Sequence, residues 1–334
     1  MRFEKCIDAI DTHTFGEPTR TLISGIPRLE GNTISEKRKY FEEHYDWIRT
    51  ATQWEPRGGD VMSGAIILDP CVRDADIGVF FIDSGGYFPM CGHSTIGVTT
   101  AIIETGIIKA VEPYTTVRLD TPAGIVTAKA EVKDNCVKSV TFTNVPCFLY
   151  KTQVLNFSEY GEIEVDVTYG GGSFVLVPAE PFKLTLEPCN LSRIYSLSKI
   201  VQEKSNTEIG FIHPEKPEIN GIQQIHWYST PIVNSNVNAR SANVFLPGID
   251  RSPCGTGTAA RACTLFAKGK LGLNEKFTQE SMTGGVFSAK VIEPVNIEGL
   301  KGGIPMVTGS AHITGFHKFV IDPDDPLTYG FPFS

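Results

Sequence analysis

A chain of 334 residues is too long for one average core and suits two domains of ordinary size. With 41% hydrophobic and 20% charged residues and no low-complexity tract, it reads as a globular protein, which excludes a disordered or fibrous chain. The net charge of −8 comes without a Lys/Arg cluster or an aromatic-basic stripe, so nucleic acid and anionic membrane are excluded as partners and a small ligand is expected.

The opening MRFEKCIDAIDTHT has no apolar run of signal-peptide length, and no later stretch reaches the roughly 18 apolar residues of a membrane span. A cytoplasmic location is expected. The first segment with a chemical signature is FPMCGHSTIG, residues 88 to 97, which runs into Ile96 to Ile103, too apolar for a surface helix and closed by Gly106, where a left-handed C-cap belongs. Strand-like alternation follows in GIVTAK (124 to 129), SVTFTNV (139 to 145) and SFVLVPA (173 to 179). A second buried helix spans Ala259 to Ala267 and is closed by Gly269; GVFSAK (285 to 290) and KFVID (318 to 322) then read as strands.

The two helices are echoes of one another. CGHSTIGVTTAIIETGII from Cys91 and CGTGTAARACTLFAKGKL from Cys254 lie 163 residues apart, close to half the chain, and share the Cys-Gly pair, a Thr four places on and a Gly fifteen places on. GIVTAK lies 33 residues after the first cysteine and GVFSAK 31 after the second. The chain therefore reads as two similar α+β units, each with strands around a central helix opened by Cys-Gly.

Eight cysteines are scattered without any C-x-x-C pair, and most are expected to be buried free thiols. The seven histidines show no H-x-x-x-H or H-E-x-x-H spacing, so no metal site is expected. Cys91 and Cys254 are different. At helix N-termini, unpaired N–H groups and the positive dipole end favour a thiolate and offer an anion site. The dipole supplies about 0.3–1 kcal/mol, less than one pKa unit at about 1.36 kcal/mol, so it does not ionise both thiols. If the two units face one ligand, the first thiolate opposes the second, and one base and one acid on opposite sides of a carbon invert its configuration. Helix N-terminal N–H groups would hold a neighbouring carboxylate, and the scheme requires no cofactor.

Other readings compete. His93 makes a Cys-His hydrolase pair conceivable, but residues at i and i+2 point apart on a helix, so direct activation is not expected. GTGTAA (255 to 260) with Glu275 fits a dinucleotide fingerprint, yet Pro253 and the loop before it replace the required strand. A non-catalytic imino-acid-binding protein would keep the ligand site without turnover. Asp250, four residues before Cys254, suits a substrate ammonium; His13, Arg20 and Arg57 carry no independent signal and read as structural.

MCGHSTIG (90 to 97) and DRSPCGTGTAARA (250 to 262) resemble the two signature motifs of the proline racemase family, which includes proline racemases, 4-hydroxyproline epimerases and hydroxyproline dehydratases. HTFGEPTR (13 to 20) and EPRG (55 to 58) resemble two further family motifs, so the likeness covers nearly the whole chain. It implies a diaminopimelate-epimerase-like fold of two pseudo-symmetric domains, residues 1–140 with 302–334 and residues 141–301, with the active site in the cleft between them. It also implies cofactor-independent two-base catalysis on a small imino acid, and an assembly that is often a homodimer. Cys91 and Cys254 match the family's acid/base pair. His93 and Asp250 match contacts to the ring nitrogen, while Gly92, Gly255 and Thr256 match donors around the carboxylate. Ser94 and Gln224 are counted with the substrate contacts. Cys254 is present where the dehydratases replace it, which favours inversion. Ser63 and Val244 stand where proline racemases resemble one another in carrying Phe; the smaller pair makes room and supplies a hydroxyl, which suits 4-hydroxyproline ahead of proline. Phe15, Gly59 and Ser94 depart from familiar members, which carry Gly, His, and Gly or Asn there.

Overall fold

The computed structural model describes residues 5–246 and 248–332. Contacts divide the chain into two compact units: one takes in everything up to Phe142 together with the stretch from Gly309 onward, the other Thr143–Thr308.

In the first unit a hairpin of β1 (Lys5–Thr14) and β2 (Glu17–Ser24) leads into helix α1 (Ile34–Gln53), after which β3 (Ser63–Leu68) runs parallel to β2. The long crossover that a parallel pair needs is supplied by α1. Thr33 caps that helix by accepting the Glu36 N–H at 3.1 Å. β4 (Ile77–Asp83) pairs antiparallel with β3, and β5 (Tyr87–Phe88) folds back on β4. Helix α2 (Gly92–Glu104) is the second crossover: β6 (Tyr114–Thr121) emerges parallel to β4 and continues into the antiparallel β7 (Gly124–Lys133) and β8 (Cys136–Thr143).

The second unit repeats these pairings in the same order. β9 (Cys147–Phe157), β10 (Gly161–Tyr169) and β11 (Ser173–Pro178) form a meander, α3 (Leu191–Glu208) crosses over, and β12 (Gln224–Ser229) runs parallel to β11. β13 (Ala239–Phe245) and β14 (Gly248–Ile249) follow, then α4 (Gly255–Ala267), β15 (Phe277–Glu280) parallel to β13, and the antiparallel β16 (Val286–Ile297) and β17 (Leu300–Gly309). β17 also pairs with β9, so this sheet closes on itself. β18 (His312–Ile321) pairs with β1 and takes in the first unit the place that β9 takes in the second.

Each unit has its central helix on one face of the sheet and its long helix on the other. α2 packs against β1, β2, β3, β7 and β18, and every residue from Gly92 to Ile103 is buried; α4 packs against β9, β10, β11 and β16. An all-round apolar helix is stable only inside such a wrap. Both central helices are 13 residues long and start 163 residues apart, and Gly106 and Gly269 close them at φ 78° and 69°, where a side chain would be strained. On the opposite face, α1 covers a core of Ile7, Leu22, Phe41, Ile48, Ile66 and Phe80. α3 likewise covers Val175, Val177, Ile225, Trp227, Ala242 and Val244.

All eight cysteines are free, but only Cys147, Cys254 and Cys263 are buried. The expectation of mostly buried thiols is corrected: Cys6 and Cys136 sit at outward positions of the β1 and β8 alternation, and Cys189 in a surface turn.

One buried ion pair holds the second unit. Arg240 on β13 donates to Glu280 on β15 at 2.8 Å, and Glu280 also accepts the N–H groups of Ile232, Val233 and Asn234 at 2.8–3.0 Å. Burial pushes the Glu280 carboxyl up, but the Val233 and Ile232 N–H groups, the Arg240 guanidinium and the Asn234 N–H outweigh it, so its pKa lies below the ordinary value. A depressed folded pKa contributes stability above the unfolded pKa, and that contribution is lost as pH falls through the folded one. Glu280→Gln, which leaves the Arg240 charge buried and unpaired, is expected to cost about 3–5 kcal/mol at neutral pH. Urea unfolding of the two proteins should show this gap narrowing in acid; a gap that does not change with pH would contradict the assignment.

Candidate active site

Cys91 is the N-cap residue of α2, with an extended backbone (φ −138°, ψ 120°) that ends the chain's run from β5. Its Sγ lies 3.5 Å from His93 Nδ1. Burial pushes this thiol up, but the His93 charge and hydrogen bonds from His93 and Ser94 outweigh it, and the net shift is downward. The expectation that residues two apart would point away from each other is therefore corrected. It assumed both residues were helical, whereas the helix begins at Gly92 and Cys91 precedes it in an extended conformation.

The surroundings fix this arrangement. Thr14 donates to the His93 carbonyl at 3.0 Å, and the Ser94 hydroxyl meets Thr19 at 3.3 Å, tying the first turn of α2 to the β1–β2 hairpin. Asp83, which sequence reasoning did not single out, lies at the end of β4. Burial raises its pKa, opposed by the N–H groups of Gly86 and Gly85 and by the charges of Arg49 and His93. Its ladder partner across the strands is Ser63, which keeps 7% exposure. Phe15, in the hairpin turn, sits at φ 49°, the left-handed region that a glycine would occupy without strain.

Cys254 occupies the corresponding place on α4, with φ 64° and ψ 112°, a sparsely populated backbone conformation that costs about 1–3 kcal/mol and is characteristic of functional sites. Its neighbours hold it directly and through Ser252. Ser252 Oγ accepts the Cys254 N–H at 3.1 Å, Asp250 Oδ1 accepts the Ser252 N–H at 2.7 Å, and Gly257 N–H donates to Cys254 Sγ at 3.3 Å. Thr256 Oγ1 is 3.5 Å from the same sulfur. The first-turn N–H groups of Gly255 and Thr256 have no carbonyl to bond within the helix and are available to an anion.

The structure thus assembles Cys91, Gly92, His93 and Ser94 around one helix start, and Asp250, Cys254, Gly255 and Thr256 around the other. Gln224 opens β12, as Ser63 opens β3. Val244 is placed differently from what a pocket wall requires: it is 0% exposed and belongs to the α3-side core with Ile225 and Trp227, while Asn243 and His226 occupy the opposite face, toward α4. The period of two along β13 decides this. Arg20 forks onto Asp11 at 2.7–2.9 Å, and Arg57 donates to the carbonyls of Val320 and Thr328, structural roles both. A groove of about 970 Å³ in the first unit, lined by Arg28, Lys37 and Asp69 among others, includes neither Cys91 nor His93.

The chain is similar to known proteins over nearly its whole length. The chain is 43% identical to a proline racemase of Clostridioides difficile, covering 99% of each sequence, and 40% identical to a 4-hydroxyproline epimerase of Brucella ovis, covering 96% of this chain and 97% of that one. A crystal structure of a hydroxyproline epimerase from Agrobacterium vitis with bound trans-4-hydroxy-L-proline superposes with a TM-score of 0.89 at 31% identity, covering 99% of this chain and 96% of that one. The family model described as proline racemase matches residues 9–332, and with two cysteine-opened helices at equal register the chain belongs to the proline racemase family.

Proposed function

We propose that this protein is a cofactor-independent isomerase that inverts Cα of 4-hydroxyproline, converting trans-4-hydroxy-L-proline to cis-4-hydroxy-D-proline, with Cys91 and Cys254 as paired base and acid. The observation that carries the reading is the duplicated helix start: a thiol at the N-cap of each central helix, in a chain similar to both racemases and epimerases. In this reading the fold is of the diaminopimelate-epimerase type. The Cys91 thiolate takes the Cα proton from one face while the Cys254 thiol delivers a proton to the other, and the reverse reaction exchanges the roles. The His93 charge and the hydrogen bonds from His93 and Ser94 hold the Cys91 pKa below its ordinary value, which favours Cys91 as the base in this direction. The substrate carboxylate sits at the Gly255 and Thr256 N–H groups, which stabilise the charge that accumulates as the proton leaves. Asp250 and His93 face the ring nitrogen.

The reading is tested by proton NMR in D₂O with trans-4-hydroxy-L-proline and, separately, L-proline. Loss of the α-proton signal with growth of the other epimer is expected for the hydroxylated substrate; an unexchanged α-proton in a bound ligand would leave only a binding protein. Proline racemisation is the second reading, favoured by the similarity to the Clostridioides enzyme. Ser63 separates the two. Ser63→Phe removes a hydroxyl and fills space, and is expected to lower the preference for hydroxyproline over proline in kcat/KM by about ten-fold or more. Val244→Phe is the poorer probe, since overpacking that core costs about 1–3 kcal/mol.

A further inference from the structure

Behind the first turn of α4 lies a buried polar layer whose hydrogen bonds have only one consistent direction. It begins at two acceptors. Pro253 offers only a carbonyl, and the Thr258 hydroxyl spends its proton on the Cys254 carbonyl at 2.6 Å. Gln279 approaches both, at 3.0 Å and 2.7 Å, so the group it presents to them is the NH₂. That nitrogen, its two protons directed at these acceptors and itself unable to accept, lies 3.4 Å from His226 Nε2, so an Nε2–H would meet only a donor and Nε2 carries no proton. Burial pushes the His226 pKa down to about 4, with the Arg261 charge acting in the same direction, so the ring is neutral and its single proton is on Nδ1. Nδ1 faces Asn243 Oδ1 at 3.4 Å, which turns the Asn243 NH₂ toward Gln224, and Asn243 Nδ2 donates to Gln224 Oε1 at 2.8 Å. The Gln224 amide has no freedom left: its oxygen faces inward and its NH₂ faces outward.

The outward end lies beside the site. Gly172 passes so close that an added Cβ would stand 3.1 Å from Gln224 Nε2, and a Cβ on the neighbouring Gly171 would stand 3.4 Å from Thr256 Cγ2. Gly257 is required for the same packing, since a Cβ there would come within 2.6 Å of His226 Nδ1. The direction of the amide is thus set by the backbone that carries Cys254.

We propose that His226 and Asn243 are positioning residues that hold Gln224 with its Nε2–H outward, as a fixed donor to the oxygen on C4 of the substrate. This rests on the hydroxyproline reading. A donor of fixed direction recognises an acceptor, and the proline ring bears no oxygen at C4.

The test uses 4-oxo-L-proline, whose C4 oxygen only accepts, as a competitive inhibitor, beside the KM of L-proline. Gln224→Glu keeps the bond from Asn243 but presents a second acceptor oxygen. Asn243→Asp offers Gln224 only an acceptor and so reverses its amide without touching substrate. In each variant the preference for 4-oxo-L-proline over L-proline is expected to fall by about ten-fold or more relative to the parent, because an acceptor then meets an acceptor. Equal losses for both ligands, as a carboxylate contact or a general loosening would give, overturn the proposal, and so does an unchanged preference in either variant. The parent's turnover of trans-4-hydroxy-L-proline is measured first: its absence defeats the hydroxyproline reading, whereas its presence with an unaltered preference in the variants defeats only the role given to Gln224.

Discussion

Cys254→Ser is expected to lower the rate of inversion by about 10²–10⁴-fold, the range that a positioned proton-transfer group contributes. The serine hydroxyl is of similar shape and can accept the Gly257 N–H as the sulfur does at 3.3 Å, so the start of α4 keeps its cap and the fold is retained. What is lost is a group able to give and take a proton near neutral pH. In the variant Cys91 still faces its side of the carbon, so the α-proton of one epimer continues to exchange with D₂O more readily than that epimer is converted. Exchange outlasting inversion is the signature of one base removed from a pair. A Cys254→Ser protein that inverts substrate at the parent rate would exclude the paired scheme.

The duplicated helix start was readable because the same chemistry demands the same residues twice: Cys-Gly at the opening, Gly106 and Gly269 at the close, and apolar side chains between. Strands such as 173–178 and 318–321 were readable from their β-branched alternation. α1 and α3 were not singled out, although Thr33 with Glu36 three places on is a sequence-level helix start. The polar layer behind Cys254 was hidden for a physical reason. Gln224 and His226 come from β12, Asn243 from β13 and Gln279 from β15, so only the pairing of strands brings their side chains together. Even so, QIHWYS alternates in polarity, and the same alternation would have placed Asn243 on the α4 face and Val244 on the other. His93 was misjudged because one residue of helix boundary separates a side chain that turns away from one that reaches the thiol.

His93→Asn is expected to move the pH dependence of kcat/KM as well as its size. In the direction where Cys91 is the base, the active form is the thiolate, which exists above the Cys91 pKa. Burial alone pushes that pKa up, and the His93 charge and hydrogen bond are the largest influences bringing it down. Without them the pKa rises, so the acid limb of the profile shifts to higher pH. At neutral pH the rate falls by about ten-fold or more, within what proton-transfer groups contribute. As pH is raised, more of the variant's Cys91 ionises and the deficit narrows. A merely structural histidine would give a deficit of constant size across the profile, and that outcome would remove His93 from the role of holding Cys91 ionised. The opposite direction supplies an internal control. There the base is Cys254, 5% exposed, on the other central helix and beside Gly257 N–H and Thr256 Oγ1, so a change at His93 is expected to move its acid limb little. An asymmetric response of the two directions to one substitution requires two different bases, one on each helix.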